Sequence, residues 1–292
     1  MKKSHTIKIR MKKRRLLMKI WVVGDLHGCY DSFCALLNKM DLKSNDKVIC
    51  IGDLINRGPK SAQMLDHFCN DTRFSSVLGN HDWAFILSKL AKTGPIHSDF
   101  KELEESPRAA MWITWLRNQP FSMLFDEYFL VHAGCWPLWS LPQHQQISDR
   151  LHQWFKQCSQ DELKILDCYL PTVLASSNEI FDENPIKSYA FAMNVLTKIR
   201  YLSQSPTLKI AMDLKGHPSK VTQGTAWFEK YEVPSGYTIV FGHWSALKGL
   251  QRPGFEGIDT GCVWGEYLTA FELNSKQRIT QPALELRAGR SG

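Results

Sequence analysis

Several features that mark other protein classes are missing from this chain of 292 residues. It has no uninterrupted apolar run of roughly 18 or more residues, so it contains no evident membrane span. It also lacks a glycine period, a low-complexity segment and an internal repeat, which excludes collagen-like, disordered and solenoid architectures. Its hydrophobic content of 43% is typical of a globular protein with a substantial core.

Paired cysteines are missing as well. The eight cysteines include no Cys-x-x-Cys pair and no dense cluster, which argues against a disulfide-rich secreted domain and favours free thiols. The apolar stretch at residues 16–23 is short, is interrupted by Lys19 and leads into Gly24 without a small-residue cleavage site, unlike a secretory signal. We therefore expect a cytoplasmic protein that has no membrane partner.

Acidic residues are absent from positions 1–17, which hold eight of the 36 lysines and arginines. The other 28 bases face all 29 acids, so the formal charge of +7 becomes −1 from Met18 onward. We expect residues 1–17 either to be a disordered basic arm able to touch polyanions, or to precede the native start if synthesis begins at Met11 or Met18. Residues 18–292 are expected to form one domain.

The first 95 residues show one pattern three times: a short apolar strand, a loop that begins with glycine, and a helix. The predicted strands are residues 19–23, 48–51 and 77–78. The predicted helices are residues 30–40, a stretch opened by Pro59, and a stretch from Asp82 to near Gly94. This alternation implies right-handed crossovers and a parallel sheet, whose functional loops leave the carboxyl ends of the strands.

The loops after these strands carry potential metal ligands, in the motifs GDLHG (24–28), GDLINRG (52–58) and GNHD (79–82). Asp25 and His27, at alternate positions, can point the same way from an extended loop. Asp53 can add a carboxylate from the adjacent strand end, and Asn80 can add an amide oxygen. Carboxylate, imidazole and amide ligands together suit Mn, Fe, Zn or Mg better than a metal that prefers thiolates.

Each of these signals is weak alone, because Gly-Asp is ordinarily a turn and a lone histidine is ordinarily a core or surface residue. Two later apolar strands, however, also end in one histidine each, at His132 in FLVHAG (129–134) and at His243 in IVFGHW (239–244). Five ligand-bearing loops after five predicted strands therefore predict a metal site.

The five blocks, in this order, resemble the calcineurin-like metallophosphoesterases of the phosphoprotein phosphatase type. A closer resemblance, to the bacterial branch that cleaves bis(5'-nucleosyl) tetraphosphates symmetrically, rests on residues 24–31 (GDLHGCYD), 78–82 (LGNHD), 194–201 (NVLTKIRY), 241–244 (FGHW) and 257–265 (GIDTGCVWG). The resemblance implies an α/β fold: a four-layer α/β/β/α sandwich with a largely helical cap insertion at about residues 140–235. A capping-box pattern at residues 159–162 predicts a helix start inside that insertion.

The same resemblance implies two divalent metal ions, drawn from Mn, Co, Fe, Zn or Mg. The implied ligands are Asp25 and His27 for one ion, Asn80, His132 and His243 for the other, and Asp53 as the bridge. Two cations roughly 3.5 to 4 Å apart can deprotonate a shared water and orient it for in-line attack on phosphorus. The implied reaction is hydrolysis of diadenosine 5',5'''-P1,P4-tetraphosphate to two ADP by a metal-bridging hydroxide.

Residues beside the metals also acquire roles from the resemblance. Arg57 would clamp phosphate oxygens through its planar donor fork, and His81 matches the general acid that protonates the leaving oxygen. Protein phosphatases place an aspartate beside this histidine, whereas the chain has Asn56, which can accept a hydrogen bond but carries no charge. A nucleoside-diphosphate leaving group needs less help from an acid than an alkoxide does, so Asn56 favours a phosphoanhydride substrate.

Four further residues are candidates for the substrate site, and a fifth, Asp259, for its surroundings. Arg200 and Lys198, at i and i+2, would share one face if their segment is extended, either as polyphosphate contacts or as a solvated basic face. Trp244 and Trp264 could stack on adenine, although a buried structural tryptophan is the more frequent case. Asp259 is either a partner that orients a metal-bound histidine or a turn residue.

Three alternatives stay open on the sequence alone, which also does not specify the oligomeric state. A metal-dependent Ser/Thr or Tyr protein phosphatase fits the generic blocks, but not Asn56 or the loop of Trp264. Removal of dinucleoside-polyphosphate caps from RNA 5' ends could use the same site. A non-catalytic nucleotide or RNA binder recruited through the basic arm would leave the full set of metal ligands unexplained.

Deleting residues 1–17 should leave hydrolysis of the dinucleoside polyphosphate nearly unchanged, because the remaining chain is expected to meet its anionic substrate through metals and a few placed bases. The kcat/KM of the full-length and truncated chains on the same substrate tests this expectation. A large loss on truncation would show that the basic arm takes part in substrate binding.

Overall fold

The computed structural model describes residues 18–91, 100–174, 185–204 and 208–285, so the arm at residues 1–17 lies outside the described ranges. The helices are α1 (Tyr30–Met40), α2 (Ser61–Asn70), α3 (Asn80–Leu90), α4 (Lys101–Glu105), α5 (Ala109–Arg117), α6 (Leu141–Gln157), α7 (Gln160–Tyr169) and α8 (Pro185–Lys198). The strands are β1 (Ile20–Val23), β2 (Lys47–Cys50), β3 (Phe74–Ser76), β4 (Ser122–Phe125), β5 (Tyr128–Val131), β6 (Tyr201–Ser203), β7 (Gly224–Ala226), β8 (Thr238–Phe241), β9 (Leu250–Arg252), β10 (Phe255–Gly257), β11 (Tyr267–Glu272) and β12 (Arg278–Pro282).

The first sheet has the order β12-β11-β1-β2-β3. Strands β1, β2 and β3 are parallel, as the repeated strand-loop-helix pattern predicts, and β11 and β12 extend the sheet in antiparallel register. The third predicted strand, residues 77–78, is wrong in its bounds, since β3 ends at Ser76. The chain has left the strand by Val77 to reach Gly79, the N-cap of α3, which begins two residues before the predicted start at Asp82.

The second sheet has the order β4-β5-β8-β10-β9. Its central strands β5, β8 and β10 are parallel, and the outer strands β4 and β9 are antiparallel to their neighbours. Strand β5 ends directly before His132, and β8 ends two residues before His243. Each sheet therefore delivers ligand-type side chains at the carboxyl ends of its parallel strands.

The two sheets face each other through alternate residues of their buried strands. One continuous cluster between them joins residues of both sheets, among them Ile20, Val22, Ile49, Tyr128, Leu130 and Val240. The residues in between point outward toward helices, because successive side chains of a strand lie on opposite faces. Helix α1 packs against β11 and β12, and α6 packs against β4. The result is two sheets between outer helices, the four-layer sandwich expected from the sequence.

The segment predicted as an insertion contains α6, α7, α8 and the two-stranded β6-β7 sheet. The predicted capping box is confirmed: Ser159 Oγ accepts from the Glu162 N–H at 3.2 Å, and Glu162 Oε2 accepts from the Ser159 N–H at 2.8 Å. Helix α8 continues through Lys198, so the segment is not extended at this residue, which ends a buried helix.

The cysteines and the helices of the described ranges bear on two further expectations from the sequence. All eight cysteines are free thiols, as their spacing predicts. Across residues 18–91, 100–174, 185–204 and 208–285, no helix combines the length and apolar character that a membrane crossing requires.

Candidate metal centre

Backbone strain is concentrated in the loops that carry the predicted ligands. Among the described residues, nine other than glycine have a positive φ, and five of them belong to the predicted site: His27, Asp53, Asn56, Arg57 and His243. Such conformations are costly for side chains with a Cβ and persist where the surroundings enforce them. The strained conformations of these loops therefore orient particular side chains, which a loop that only connects a strand to a helix does not need to do.

Asp53 lies where the loops of the two sheets meet, and its side chain is only 1% exposed. Its Oδ2 is 3.6 Å from His27 Nε2 and 3.4 Å from His132 Nε2, while its Oδ1 accepts from the His81 N–H at 2.8 Å. Although burial opposes the charge, the histidines around it, His132 first, hold the pKa of Asp53 well below its usual value. A buried carboxylate shared between two groups of ligands can bridge two cations.

Backbone carbonyls orient the three histidines that the sequence predicts as ligands. His27 Nδ1 lies 3.2 Å from the Ile55 carbonyl oxygen, and His132 Nδ1 lies 2.8 Å from that of Ile51. His243 is turned the other way, with its Nε2 3.2 Å from the Lys198 carbonyl oxygen. Because a carbonyl only accepts, each ring directs an N–H to it, and the other nitrogen is the one available to a metal, which is the arrangement of metal-ligating histidines.

The charges of the site suit cations. Burial, followed by the neighbouring carboxylates of Asp259 and Asp53, raises the pKa of Asp25 well above its usual value. Burial lowers the pKa of His27 to about 3 and so keeps this imidazole neutral. His132 instead has its pKa raised to about 9, since Asp53 and Asp25 outweigh the effect of burial. Carboxylates that repel one another, with imidazoles beside them, fit divalent metal ions, which would offset the negative charge and take the place of the proton on His132.

The ligand atoms form two clusters that share Asp53. Those of Asp53, His132 and His243 lie within 4.8 Å of one another, and so do those of Asp53, His27 and His81. Asn80 Oδ1 is 3.3 Å from His132 Nε2, next to the first cluster. Asp25 Oδ2 is 3.9 Å from His27 Nε2, next to the second. The structure therefore brings together all six predicted ligands, and it places His81, the predicted general acid, beside them.

Asp82 is a structural residue of the site to which the sequence analysis gave no role. Its fully buried carboxylate accepts from three backbone N–H groups, those of Asp53 at 2.8 Å, Leu54 at 2.9 Å and Gly79 at 2.9 Å. These bonds tie the start of α3 to the loop after β2 and fix the backbone of the central carboxylate. The acid in GNHD was the available signal, but two of the three N–H groups that donate to it lie in another loop.

The position of Asn56 corrects one detail of the sequence analysis. Its side chain was expected to accept a hydrogen bond from His81, but its Nδ2, a donor, lies 2.9 Å from His81 Nδ1. Its Oδ1 is already engaged, because it accepts from the Arg57 N–H at 2.5 Å. The amide has only one oxygen, and the Arg57 N–H already donates to it, so the nitrogen is the atom left to face His81.

A cavity of about 590 Å³ opens over the ligands. The predicted phosphate contacts Arg57, Lys198 and Arg200 all line it, although Lys198 belongs to a helix end rather than an extended segment. Burial lowers the pKa of both Lys198 and Arg200. The Lys198 ammonium lies 4.5 Å from the centroid of the Trp83 ring, and Arg200 Nη2 donates to the His243 carbonyl at 3.0 Å.

The two tryptophans predicted to stack on adenine differ in exposure. Trp264 is 36% exposed and lines the cavity, with the Arg57 guanidinium 4.9 Å from the centroid of its ring. Trp244 is only 2% exposed and packs against Tyr201 at 4.8 Å between ring centroids. Asp259 is buried and accepts from the Gly261 N–H at 3.1 Å, which is the hydrogen bond of a turn residue. Trp264 is therefore the better placed of the two for a base.

Two facing sheets whose strand ends gather carboxylate, imidazole and amide ligands beneath a basic cavity define a metal-dependent phosphoesterase. Residues 18–244 match the calcineurin-like phosphoesterases, and the chain belongs to that family. The resemblance inferred from the five sequence blocks is thus confirmed.

Similar proteins cover nearly the whole chain. "Bis(5'-nucleosyl)-tetraphosphatase, symmetrical" of Shewanella sp. (strain ANA-3) is 35% identical over 280 residues, which are 92% of this chain and 99% of that protein. The protein of the same name in Vibrio campbellii (strain ATCC BAA-1116) is 33% identical over 285 residues, 91% of this chain and 100% of that protein.

Two solved structures are similar in fold. A crystal structure of a candidate diadenosine tetraphosphatase has a TM-score of 0.61 at 22% identity and covers 91% of this chain and 93% of its own. A serine/threonine phosphatase from Saccharomyces cerevisiae has a TM-score of 0.51 at 14% identity, with coverage of 93% and 82%. At these identities the two structures support the fold alone, and they agree with the sandwich expected from the sequence.

Substituting Gly242 by Ala should weaken Mn²⁺ binding by about tenfold to a hundredfold, the loss typical when a group supporting metal ligands is disturbed. A Cβ at Gly242 would overlap the Asp25 carboxylate. It would also disturb the His243 N–H, which donates to that carboxylate at 3.0 and 3.1 Å. Calorimetric titration of the metal-free protein with Mn²⁺ measures the change.

Gly236→Ala is the matched control. Gly236 has a positive φ, of 85°, unlike Gly242, and a Cβ there would meet open space. The control should lose some stability and keep its metal affinity. Equal Mn²⁺ affinities of the Gly242→Ala and Gly236→Ala variants would contradict the importance of this close approach.

Proposed function

We propose that this protein hydrolyses diadenosine 5',5'''-P1,P4-tetraphosphate to two ADP. The observation that carries the proposal is the match to symmetrical bis(5'-nucleosyl)-tetraphosphatases over 99% of their length, which includes the segment between the two ligand histidines as well as the shared metal site. The cavity above the site supports it, since it is lined by several cations and by one partly exposed tryptophan.

Six side chains would hold two divalent metal ions: Asp25, His27, Asp53, Asn80, His132 and His243. When bound, the metals supply a water activated for attack and neutralise charge on the phosphoryl oxygens. The carbonyl partners of the three histidines fix which ring nitrogen carries an N–H, and so leave the other nitrogen of each ring to coordinate. Asp53, in contact with both halves of the site, would be the shared ligand.

The polyphosphate is proposed to bind across three basic side chains that come from different parts of the fold. Arg57 lies in the loop after β2, Lys198 ends α8, and Arg200 precedes β6. Burial has removed much of the solvation of Lys198 and Arg200, so a phosphate would gain strong, charge-assisted contacts there. Binding of the chain of phosphates over the metals would present an inner phosphorus for attack.

The nucleoside site is proposed at Trp264, whose indole can stack on a base without reading its edges. Arg57 lies over the same indole, so a base and a phosphate could be positioned by neighbouring groups. Trp244 would contribute indirectly, because its Nε1–H donates to the Gly216 carbonyl at 2.8 Å and holds the wall of the cavity.

The products identify the reaction. Purified protein with Mn²⁺ is incubated with diadenosine tetraphosphate, with a phosphopeptide, and with RNA that carries a dinucleoside-polyphosphate cap, and the products are separated by chromatography. ADP as the sole nucleotide product is expected from the first substrate. ATP with AMP would exclude symmetrical cleavage, and phosphate release from the peptide alone would favour a protein phosphatase. Release of the RNA cap would add a second phosphoanhydride substrate for the same site.

Asp53→Asn should reduce turnover by more than about a hundredfold, because an amide cannot supply the negative charge and two oxygen ligands expected of a bridge. The kcat at saturating Mn²⁺ and a calorimetric metal titration measure the two parts of this expectation. Asp41→Asn is the control, since Asp41 is the exposed C-cap of α1 in a left-handed conformation that asparagine tolerates. Wild-type activity in Asp53→Asn would refute the ligand assignment.

A further inference from the structure

The amide of Asn56 lies between two groups of the site. It is 6% exposed, its Oδ1 accepts from the Arg57 N–H at 2.5 Å, and its Nδ2 lies 2.9 Å from His81 Nδ1. The Asn56 N–H donates to Ser61 Oγ at 3.0 Å, which fixes the backbone of the residue as well. Asn56 therefore has little freedom to turn.

These contacts decide which end of the amide faces the histidine. In the opposite orientation, the Nδ2 donor would face the Arg57 N–H, and two donors would meet at 2.5 Å. The amide nitrogen of asparagine only donates, so His81 Nδ1 must accept. A neutral imidazole that accepts at Nδ1 carries its single proton on Nε2.

The ligand histidines have the opposite arrangement. His27, His132 and His243 each direct an N–H to a carbonyl, an acceptor, and so leave the other ring nitrogen for a metal. His81 alone among these four faces a donor. The distances place His81 in a cluster with His27 and Asp53 that could hold a metal. In this tautomer, however, the Nε2 of His81 carries the proton, and a protonated nitrogen cannot coordinate a metal.

We propose that Asn56 is a positioning residue that fixes His81 in the Nε2–H tautomer, so that a neutral imidazole donates to the leaving phosphate oxygen and the site prefers phosphoanhydrides to phosphate monoesters. The preference rests on the proposed function; the tautomer does not. A neutral imidazole is a weak acid that suffices for a leaving group whose charge is spread over phosphate oxygens. It is a poor proton source for an alkoxide, which needs full protonation.

The tautomer can be read by NMR without any substrate. The full-length protein, labelled with ¹⁵N in histidine and loaded with diamagnetic Zn²⁺, is examined by long-range ¹H–¹⁵N correlation. His81→Gln identifies the His81 signals by their loss. We expect a protonated Nε2 and an unprotonated Nδ1 in the wild-type protein. A proton on Nδ1, or an Nε2 shifted by metal coordination, would overturn the proposal.

Asn56→Asp is the decisive variant. Aspartate tolerates the positive φ of 75° at this position and still accepts from the Arg57 N–H, but it replaces the donor facing His81 by an acceptor. His81 should then carry a proton on Nδ1. The ratio of kcat/KM for a phosphoserine peptide to that for diadenosine tetraphosphate should rise by about tenfold or more, toward the usual contribution of a general acid.

Asn38→Asp provides the matched control, because Asn38 is exposed on α1 and the change adds the same charge outside the site. It should leave both the His81 signals and the kcat/KM ratio unchanged. An Asn56→Asp variant with an unaltered tautomer or an unaltered ratio would contradict the proposal. Absence of diadenosine tetraphosphate hydrolysis in the wild-type protein would instead refute the proposed function, while the wild-type tautomer would still test the role of Asn56.

Discussion

The buried carboxylate of Asp53 is the constraint on which the rest of the centre depends. A carboxylate that is 1% exposed is costly unless charges and donors surround it, and here they come from both sheets: His27 and the His81 N–H from the first, and His132 from the second. Asp82, buried behind it, holds the backbone of Asp53 through a direct hydrogen bond. The two sheets must therefore face each other to surround this carboxylate with charges and donors, as well as to bury their apolar side chains.

Much of this arrangement could be predicted from the sequence because its signals are local. A short apolar run followed within two residues by a carboxylate, an amide or a histidine indicates both the strand and the loop that follows it, and all five such runs end at the centre. The antiparallel strands β11 and β12 come from the other end of the chain and join the first sheet beside β1, and no local sequence pattern predicts which edge of the sheet they extend. The sequence leaves the end of α8 at Lys198 open for a related reason, since packing of the buried helix decides it.

The roles of Asn56 and Asp82 could not be predicted, because each depends on which atoms face one another across different loops. The sequence shows an amide where protein phosphatases have an acid, and this suggests an acceptor that lacks charge. Only the contact between Arg57 N–H and Oδ1 reveals that the oxygen is taken and that the nitrogen faces His81. Likewise, the three N–H groups bound by Asp82 belong to two loops that are separated by about 26 residues in the chain.

The same polar backbone contacts also explain how strained loops can persist at the site. Positive φ values at His27, Asp53, Asn56 and His243 each cost of the order of 1 kcal/mol or more, and such a cost requires the surroundings to enforce the conformation. The Ile55 carbonyl, the Asp82 carboxylate, the Arg57 N–H and the Asp25 carboxylate respectively supply partners to these residues. Because two of these partners are themselves carboxylates of the centre, the strain and the charge of the site are held in place by one network. A substitution that relaxes one loop must therefore disturb the electrostatics of the next, which couples the stability of the loops to their capacity to hold metal ions.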